Sequence, residues 1–369
     1  MKAIMVAFRS TFDEGLGGVQ ICTREYVEVL KIAGFQINEC LFDSDMRLTT
    51  RIKRKFWPSL YSNVIPRGLI NRVVSMVRDT GAEYLFLNQV TVAQIAKDLK
   101  NRLPHECKIV VLSHGLESTD MLHSIRVKDQ LPIAWHGSFS PELLLGKTIS
   151  SEAKFRRYVD LTISVSPFDE LLERWLGVKR SIWIPRVIDA VPITWKPEKY
   201  IFGFVGTLSH PPNLEGLVQA LEAMKARDPK MRVRIVGGPV DIGKWVQSNY
   251  ENADYLGKLN NQELEIEASK WRAFLHPIFC IPRGCSTKLA TGINWQIPII
   301  TTESGARGYK HDKGEFCLSE TPEEFAILCS ELLDDEKMCD ARQGIVEISE
   351  TSPATSSIAI SVKEAIDSI

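Results

Sequence analysis

Eight short apolar runs recur along the chain, and most are separated by stretches with helical periodicity. The runs are AIMVAFRS (3–10), YLFLNQ (84–89), KIVVLSHG (108–115), LTISVSP (161–167), IFGFVGTLS (201–209), VRIVGG (233–238), AFLHPI (273–278) and IPIITTES (297–304). The stretches between them include VQICTREYVEVLKIAG and NLEGLVQALEAMKA. Strands that alternate with helices form parallel sheets covered by helices on both faces. The pattern therefore predicts an α/β protein with doubly wound, Rossmann-like sheets.

The runs fall into two groups, which lie on either side of residues 184–200. This segment has three prolines and little periodicity, as is typical of a linker. A chain of 369 residues, of which 44% are hydrophobic and 25% charged, is long enough for two buried cores. We therefore predict a first domain over residues 1–192 and a second domain over residues 193–350.

Charge, cysteine usage and hydropathy limit the classes of function. The formal net charge of −1 argues against a general nucleic-acid binder. The eight cysteines are scattered without metal-ligand spacing, so we expect reduced thiols and no metal site. No apolar run approaches the roughly 18 residues of a membrane span, and the first run is too short for a signal-peptide core. We expect a cytoplasmic protein.

In open α/β sheets, ligands bind beyond the carboxyl ends of the strands. The residues that follow the predicted strands are therefore the first candidates for chemistry. They are Gly17, Gly18, Asn88, Ser113, His114, Gly206, Thr207, Gly237, Gly238, His276 and residues 303–308. A cleft between two such domains would bring both groups together.

Two of these places allow both a functional and a structural interpretation. Gly17 and Gly18 precede a predicted helix, where backbone N–H groups can approach a phosphate, although a plain strand-to-helix turn has the same pattern. His114 could hydrogen-bond a polar ligand or exchange protons, or it could simply cap a loop.

The helix after Gly206 is expected to begin near Pro212 or Asn213, with Asn213 as a possible N-cap.

A lysine one turn into a helix that opens from a glycine turn suggests an anion site. Lys288 has this position, because the turn RGCST precedes it and a helical stretch follows. A helix start offers free N–H groups and partial positive charge, and Arg283 could add a second cation around a diphosphate. A surface lysine on an amphipathic helix is the alternative. The second glycine turn in PIITTESGARG favours the anion site.

Residues 47–78 form a basic tract that contains no Asp or Glu and carries interleaved aromatic and aliphatic residues. Such a segment can lie on an anionic membrane surface or receive an anionic acceptor. A solvated basic loop with a few residues in the core is an equally acceptable interpretation.

Taken together, four segments resemble the glycosyltransferases of GT-B fold that are grouped in glycosyltransferase family 4. The segments are GGVQICTREYVEVLKIAGFQI (17–37), YVDLTISVSPFDELLERWLGVKRSIWIPRVID (158–189), FGFVGTLSHPPNLEGLVQALE (202–222) with VRIVGGP (233–239), and HPIFCIPRGCSTKLATGINWQIPIITTESGARGY (276–309). Their order and spacing over nearly the whole chain make the resemblance specific. It implies two domains that face a cleft, and a C-terminal helix (351–369) that returns to the first domain.

The resemblance also implies a substrate and a mechanism. A nucleotide-sugar donor would lie in the cleft, and the acceptor would be a saccharide or a lipid-linked sugar of cell-surface glycan biosynthesis. Transfer would retain the anomeric configuration and need no metal or other cofactor. His114 and Lys288 match the catalytic positions. The donor-binding positions are Gly17, Gly18, Gly206, Thr207, Arg283, Gly284, Ser286, Thr287, Thr291, Glu303, Gly305 and Arg307.

The chain departs from the family at several positions. Arg283 and Thr291 stand where relatives often carry a Glu-x7-Glu pair, Thr207 and Pro212 stand where many have Arg and Lys, and Gln296 replaces a glycine. Two hypotheses follow. The chain is a working transferase that uses Thr291 or Glu303 for the ribose, or it is a degenerate GT-B protein that binds and stabilises an active partner. The intact Gly17, Gly18, His114 and Lys288 favour the transferase.

Overall fold

The protein folds into two parallel six-stranded sheets, as seen in a computed structural model that describes residues 1–13, 17–49, 52, 61, 65–132 and 140–369. In the first sheet the strands run β2-β1-β3-β4-β5-β6, and in the second they run β12-β11-β10-β7-β8-β9. Their bounds are β1 Lys2–Phe8, β2 Gln36–Phe42, β3 Tyr84–Asn88, β4 Lys108–Leu112, β5 Leu161–Ser164, β6 Ser181–Trp183, β7 Ile201–Thr207, β8 Arg232–Gly238, β9 Ala253–Gly257, β10 Phe274–Leu275, β11 Ile299–Thr302 and β12 Cys317–Ser319. The predicted α/β class is confirmed.

Helices connect the strands and cover both sheets. Within the described residues they are α1 Gly18–Ile32, α2 Leu69–Thr80, α3 Ala96–Lys100, α4 Glu117–Val127, α5 Pro141–Arg156, α6 Pro167–Trp175, α7 Pro211–Arg227, α8 Val240–Asn249, α9 Asn261–Ala268, α10 Thr287–Trp295, α11 Glu303–Ala306, α12 Pro322–Glu331, α13 Asp335–Thr351 and α14 Thr355–Asp367. Short 3-10 turns lie at Arg9–Phe12 and Val92–Ile95. Among these residues, no helix is both long and apolar enough to cross a membrane.

The central strands are apolar because both of their faces are covered. Residues 3–7 of β1 are all fully buried, and the inner strands β3, β4 and β5 are nearly as enclosed. Side chains of β1 contribute to a core on each face of the first sheet. Continuous apolar runs are what a parallel sheet buried on both faces requires.

All eight predicted strands are present, and four further strands lie at the sheet edges. The additional strands are β2, β6, β9 and β12, and each is the outermost strand of its sheet. An edge strand has one neighbour and more solvent contact, so its sequence need not be apolar throughout. Strand β2 alternates polar and apolar residues (QINECLF) and is exposed at several of them.

Residues 184–200 contain no helix or strand and connect β6 to β7. We call the parts of the chain around the two sheets the first and the second domain. The last helix, α14, packs on α1, and its Ile358, Val362 and Ile366 join Tyr26 and Leu30 in a core on the first sheet. The return of the C-terminal helix to the first domain is therefore confirmed.

Helix α7 begins earlier than expected. Its first residue is Pro211 and its N-cap is His210, so Asn213 is not the cap. Asn213 lies within the first turn and donates from Nδ2 to the carbonyl oxygen of Thr207 at 2.9 Å. A proline at the first helical position suits a helix start, because its missing N–H would have no partner there.

Candidate functional site

The two sheets present their topological switch points to one shared cavity. In the first sheet strand order reverses at β1 and β3, and in the second at β7 and β10. The cavity has a volume of about 310 Å³. Its walls come from both domains and consist of Gly18, Val19, Cys22, His114, Val165, Arg186, Thr207, His210, Asn213, His276, Ile278, Pro282, Arg283, Gly284, Cys285, Ser286, Thr287, Lys288 and Arg307.

Two helix starts meet at this cavity, one from each domain. Helix α1 opens at Gly18 after the N-cap Gly17, and α10 opens at Thr287 after the N-cap Ser286. Gly17 has no side chain that could cap α1, and the side chain of Ser286 accepts no hydrogen bond from α10. A Cβ atom placed on Gly18 would lie 3.4 Å from Oγ1 of Thr287, so the two starts are close neighbours. Uncapped N–H groups at two facing helix starts form a site suited to an anion.

Lys288 brings a positive charge to the same cavity. The side chain makes no hydrogen bond or ion pair with any residue that the structure describes. Gly206 leaves room for the ammonium group of Lys288. A Cβ atom placed on Gly206 would lie 3.3 Å from Lys288 Nζ. Burial lowers the pKa of the ammonium group to about 8. A half-buried cation without a carboxylate partner is poised to bind an anionic ligand.

A second cation comes from Arg186, which lies in the segment between the domains. The side chain is almost fully buried, and its Nη2 donates to Glu25 Oε1 of α1 at 2.6 Å. Its Nε and Nη1 atoms are buried and have no hydrogen-bond partner among the described residues. Burial raises the pKa of Glu25 to about 7 even though Arg186 acts to lower it. Arg186 therefore has two donor groups left to satisfy at the cavity wall.

His114 is held in one orientation by a hydrogen-bond chain. Asn88 Nδ2 donates to Thr23 Oγ1 at 3.0 Å, so Asn88 Oδ1 is the acceptor that faces His114 Nε2 at 2.9 Å. His114 Nδ1 is then the unprotonated nitrogen, and it is buried without a partner. Burial lowers the pKa of the imidazole to about 3, and the charges of Arg283 and Arg186 contribute. The ring is neutral at physiological pH and can accept one hydrogen bond.

Arg283 lies at the cavity but is paired with the first domain. Its guanidinium contacts Glu117, and its Nε lies 3.2 Å from Asp120 Oδ2, while its backbone N–H donates to Asp120 Oδ1 at 3.0 Å. Burial tends to raise the pKa of Asp120, but hydrogen bonding to His210 and the charge of Arg283 outweigh it and lower the pKa. In this conformation Arg283 joins the domains, which differs from the expected phosphate contact.

Five predicted donor-binding residues do not line the cavity, namely Gly17, Gly206, Thr291, Glu303 and Gly305. Gly17 and Gly206 directly precede the lining residues Gly18 and Thr207 in the sequence. The backbone N–H of Gly305 donates a hydrogen bond to Thr302 Oγ1 at 2.9 Å, and the side chain of Glu303 is exposed. The other predicted residues, His114 and Lys288 included, are part of its walls.

Several cavity residues were not singled out from the sequence. Arg186 lies in a segment without regular structure, and Cys22 and Cys285 carry no motif. His276 was already a sequence candidate because it follows a predicted strand, and His210 also follows one, which is the signal that could have identified it. Thr301 Oγ1 donates to the backbone oxygen of His276 and lies 3.0 Å from His276 Nδ1, so Nδ1 carries the proton. Burial lowers the pKa of His276 to about 3.

The loops after β4 and β10 interlock where the domains meet. Gly115 has φ +91°, and a Cβ atom on it would lie 2.1 Å from the backbone nitrogen of Gly284. Gly284 has φ +65°, its own Cβ would lie 2.6 Å from the carbonyl oxygen of His114, and its N–H donates to Asp169 Oδ1 at 3.2 Å. Only glycine allows this backbone-to-backbone approach.

We expect Gly115→Ala to weaken the binding of the nucleotide-sugar donor that the sequence resemblance implies by more than tenfold, because the added methyl group must push the loop at Gly284 away. Calorimetric titration would measure the change. Gly177→Ala is the matched control: Gly177 has φ +96° with open space around it, so alanine there adds only the backbone strain of roughly 1–2 kcal/mol. Equal nucleotide affinity in the two variants would contradict the steric argument.

Comparison with known proteins supports the fold and the character of the second domain. Residues 199–335 match the family model described as glycosyl transferases group 1. No curated protein sequence matches the chain. Sucrose-phosphate synthase from Thermosynechococcus elongatus superposes with a TM-score of 0.69 at 14% identity, over 100% of this chain and 98% of that chain.

Two further solved structures are similar over their whole length. Anabaena HepE in complex with UDP and glucose has a TM-score of 0.64 at 12% identity, with 100% of both chains covered. The lipopolysaccharide outer core galactosyltransferase WaaB in its apo form has a TM-score of 0.62 at 12% identity, over 100% of this chain and 99% of that chain. The chain thus has the GT-B fold of these glycosyltransferases, and residues 199–335 match the glycosyl transferases group 1, as the sequence resemblance predicted.

Proposed function

We propose that the protein is a retaining glycosyltransferase that moves a sugar from a nucleoside-diphosphate donor to a saccharide or lipid-linked acceptor of cell-surface glycan biosynthesis. The observation that carries the proposal is the convergence of two uncapped helix starts and the cations Lys288 and Arg186 on one cavity. An extended dianion such as a diphosphate matches this arrangement. A protein without a ligand has no reason to leave Lys288 without an anionic partner and two buried Arg186 donor groups unsatisfied among the described residues.

Sugar transfer by this mechanism requires the site mainly to stabilise the negative charge of the departing diphosphate. Preorganised N–H groups and cations do this well in a cleft that excludes water, since they need no rearrangement when charge develops. We propose that the leaving phosphate accepts the proton of the acceptor hydroxyl on the same face of the sugar, which retains the configuration. Lys288 and Arg186 would supply the charge that a divalent cation supplies elsewhere, so the transfer would be metal-independent.

The neutral His114 would bind the donor sugar. Its Nδ1 is a fixed, buried acceptor, and a sugar hydroxyl is a donor of suitable chemistry. Protonation of this ring is disfavoured until the pH falls to about 3, so His114 would not act as a general acid near neutrality. Thr291 and Glu303 stay candidates for the ribose hydroxyls.

One observation favours the second candidate function, a non-catalytic binding partner of an active glycosyltransferase. Arg283 stands where relatives carry an acid, and its guanidinium is taken up by Glu117 and Asp120 of the first domain. A protein that no longer bound a nucleotide sugar could keep its two domains together through this cluster of ion pairs.

A thermal-shift screen separates the two candidates. UDP is the first ligand to try, because Anabaena HepE is found in complex with UDP and glucose, and GDP, dTDP, ADP and CMP follow with their sugar conjugates. A saturable rise in melting temperature with one nucleotide supports the transferase, since binding to the native state stabilises it by mass action. A folded protein that responds to none of them would favour the non-catalytic partner.

We further propose that the protein is cytoplasmic and contacts the inner face of the cell membrane through residues 47–78, of which 50, 51, 53–60 and 62–64 lie outside the described residues. Binding to vesicles that contain phosphatidylserine should be strong at low salt and decline as salt screens the basic tract. Co-sedimentation at low and high ionic strength would measure it. A protein that stays in the supernatant at low salt would contradict the membrane contact.

A further inference from the structure

A second polar cluster bridges the two domains away from the cavity walls. It consists of His123 on α4, Glu215 on α7 and Cys280 in the loop between β10 and α10. One ligand atom from each residue, a ring nitrogen, a carboxylate oxygen and Sγ, lies within 4.8 Å of the other two. None of the three lines the cavity, so the donor site does not account for them.

The ring nitrogens of His123 make no aligned hydrogen bond to the residues that the structure describes. The His123 side chain is 5% exposed, and neither Nδ1 nor Nε2 is hydrogen-bonded to any described residue. Nε2 nevertheless lies 2.9 Å from Glu215 Oε2. The two atoms are close without forming an aligned hydrogen bond, as expected of groups directed at a shared third point. A buried imidazole whose ring nitrogens make no aligned hydrogen bond is costly, and a bound cation would satisfy one of them.

The chemistry of the three side chains fits a zinc ion. Imidazole, carboxylate and thiolate are the ligand types of Zn²⁺. Tetrahedral zinc holds its ligand atoms roughly 3–4 Å apart, so side-chain movements of about 1 Å would close the cluster on an ion. Burial and the nearby Glu215 raise the pKa of the Cys280 thiol to about 12. A divalent cation reverses both effects by binding the thiolate.

We propose that His123, Glu215 and Cys280 bind one Zn²⁺ ion that joins the two domains. On binding, the Cys280 S–H bond breaks, its proton passes to solvent and the thiolate sulfur coordinates the ion. The imidazole coordinates through a ring nitrogen and Glu215 through a carboxylate oxygen. Three protein ligands leave one tetrahedral position, which water fills. No electron transfer takes place, and one proton is released for each ion bound.

Zinc titration of the full chain, after removal of metal with EDTA, tests the site directly. In competition with a chromophoric chelator we expect one zinc equivalent, and at least 100-fold weaker binding in Cys280→Ser, which keeps the size of the side chain. Cys339→Ser is the matched control, because Cys339 is exposed and outside the cluster, and its zinc affinity should be unchanged. Failure to bind one equivalent, or equal affinity in both variants, would overturn the proposal.

Calorimetry in two buffers of different ionisation enthalpy provides a second readout. The wild-type chain should release about one proton per zinc ion near pH 7.5, and the release should vanish in Cys280→Ser. Zinc that binds without proton release would show that the Cys280 thiolate is not a ligand. His123→Gln should weaken zinc binding to a similar extent. These measurements use zinc alone, so their outcome is independent of whether a nucleotide sugar binds in the cavity.

Discussion

Replacing Lys288 with alanine should weaken the binding of a nucleoside diphosphate by more than tenfold while leaving the fold intact. A charge-assisted contact with a phosphate contributes on the order of 1.5–3 kcal/mol, which corresponds to roughly 10- to 150-fold in affinity. Stability should change little, because Lys288 has no ion pair among the described residues and its burial disfavours the charge. Calorimetric titration with the nucleotide found in the screen would measure the affinity.

The same lysine sets the pH dependence of binding. Its pKa is lowered to about 8 in the free protein, so the ammonium form dominates below that value and is lost as the pH rises above it. We expect affinity to fall as the pH rises from 8 toward 10, by up to tenfold per unit, and Lys288→Ala to abolish this dependence. Lys310→Ala, at an exposed lysine outside the cavity, is the control. A Lys288→Ala affinity equal to that of this control would remove Lys288 from the site.

The inner part of the fold was predictable because burial on both faces leaves a continuous apolar run. Strands β1, β3, β4, β5, β7, β8, β10 and β11 are inner strands, and each overlaps one of the eight runs. The edge strands β2, β6, β9 and β12 were not predicted. An edge strand pairs with one neighbouring strand only and is more exposed to solvent, so its sequence contains fewer apolar residues. Strand β6 has only three residues, and its Ile182 and Trp183 are only partly buried.

The site could be predicted where a local pattern determines its chemistry. Gly18 and Lys288 belong to helix starts, and His114 follows a strand, so their places at the cavity follow from rules that act within about ten residues. Arg186 and the pairing of Arg283 depend instead on how the domains face each other. Glu117 and Asp120 are more than 160 positions from Arg283 along the chain, and no short pattern indicates that they meet.

The structure explains two of the positions at which the chain differs from the pattern of the family that it resembles. Gln296, which replaces a glycine, takes the left-handed conformation (φ +54°) that ends α10. Its side chain donates to Ser349 and its carbonyl oxygen accepts from Arg342, and these contacts offset the backbone strain. At Thr207 the sequence resemblance leads one to expect a cation, and in this chain Arg186 supplies a cation to the cavity.

The loop that carries His114 rests on a buried ion pair, whose disruption should have the largest effect on stability. Arg156 of α5 and Glu173 of α6 are both fully buried, and Arg156 Nη2 donates to Glu173 Oε1 at 3.0 Å. Ser113, next to His114, donates from Oγ to the same carboxylate oxygen at 3.0 Å. The pair thereby connects two helices to the end of β4.

Glu173→Gln should lower the free energy of unfolding by about 3–5 kcal/mol, because it leaves the buried charge of Arg156 without the carboxylate that pairs with it. Denaturant unfolding monitored by circular dichroism would measure the loss. Glu170→Gln is the control: it removes the neighbouring pair with the largely exposed Arg174, which is worth less than about 1 kcal/mol. The double variant Arg156→Met with Glu173→Leu should recover most of the stability, since it removes both charges together. A Glu173→Gln protein as stable as Glu170→Gln would show that the ion pair does not support the loop.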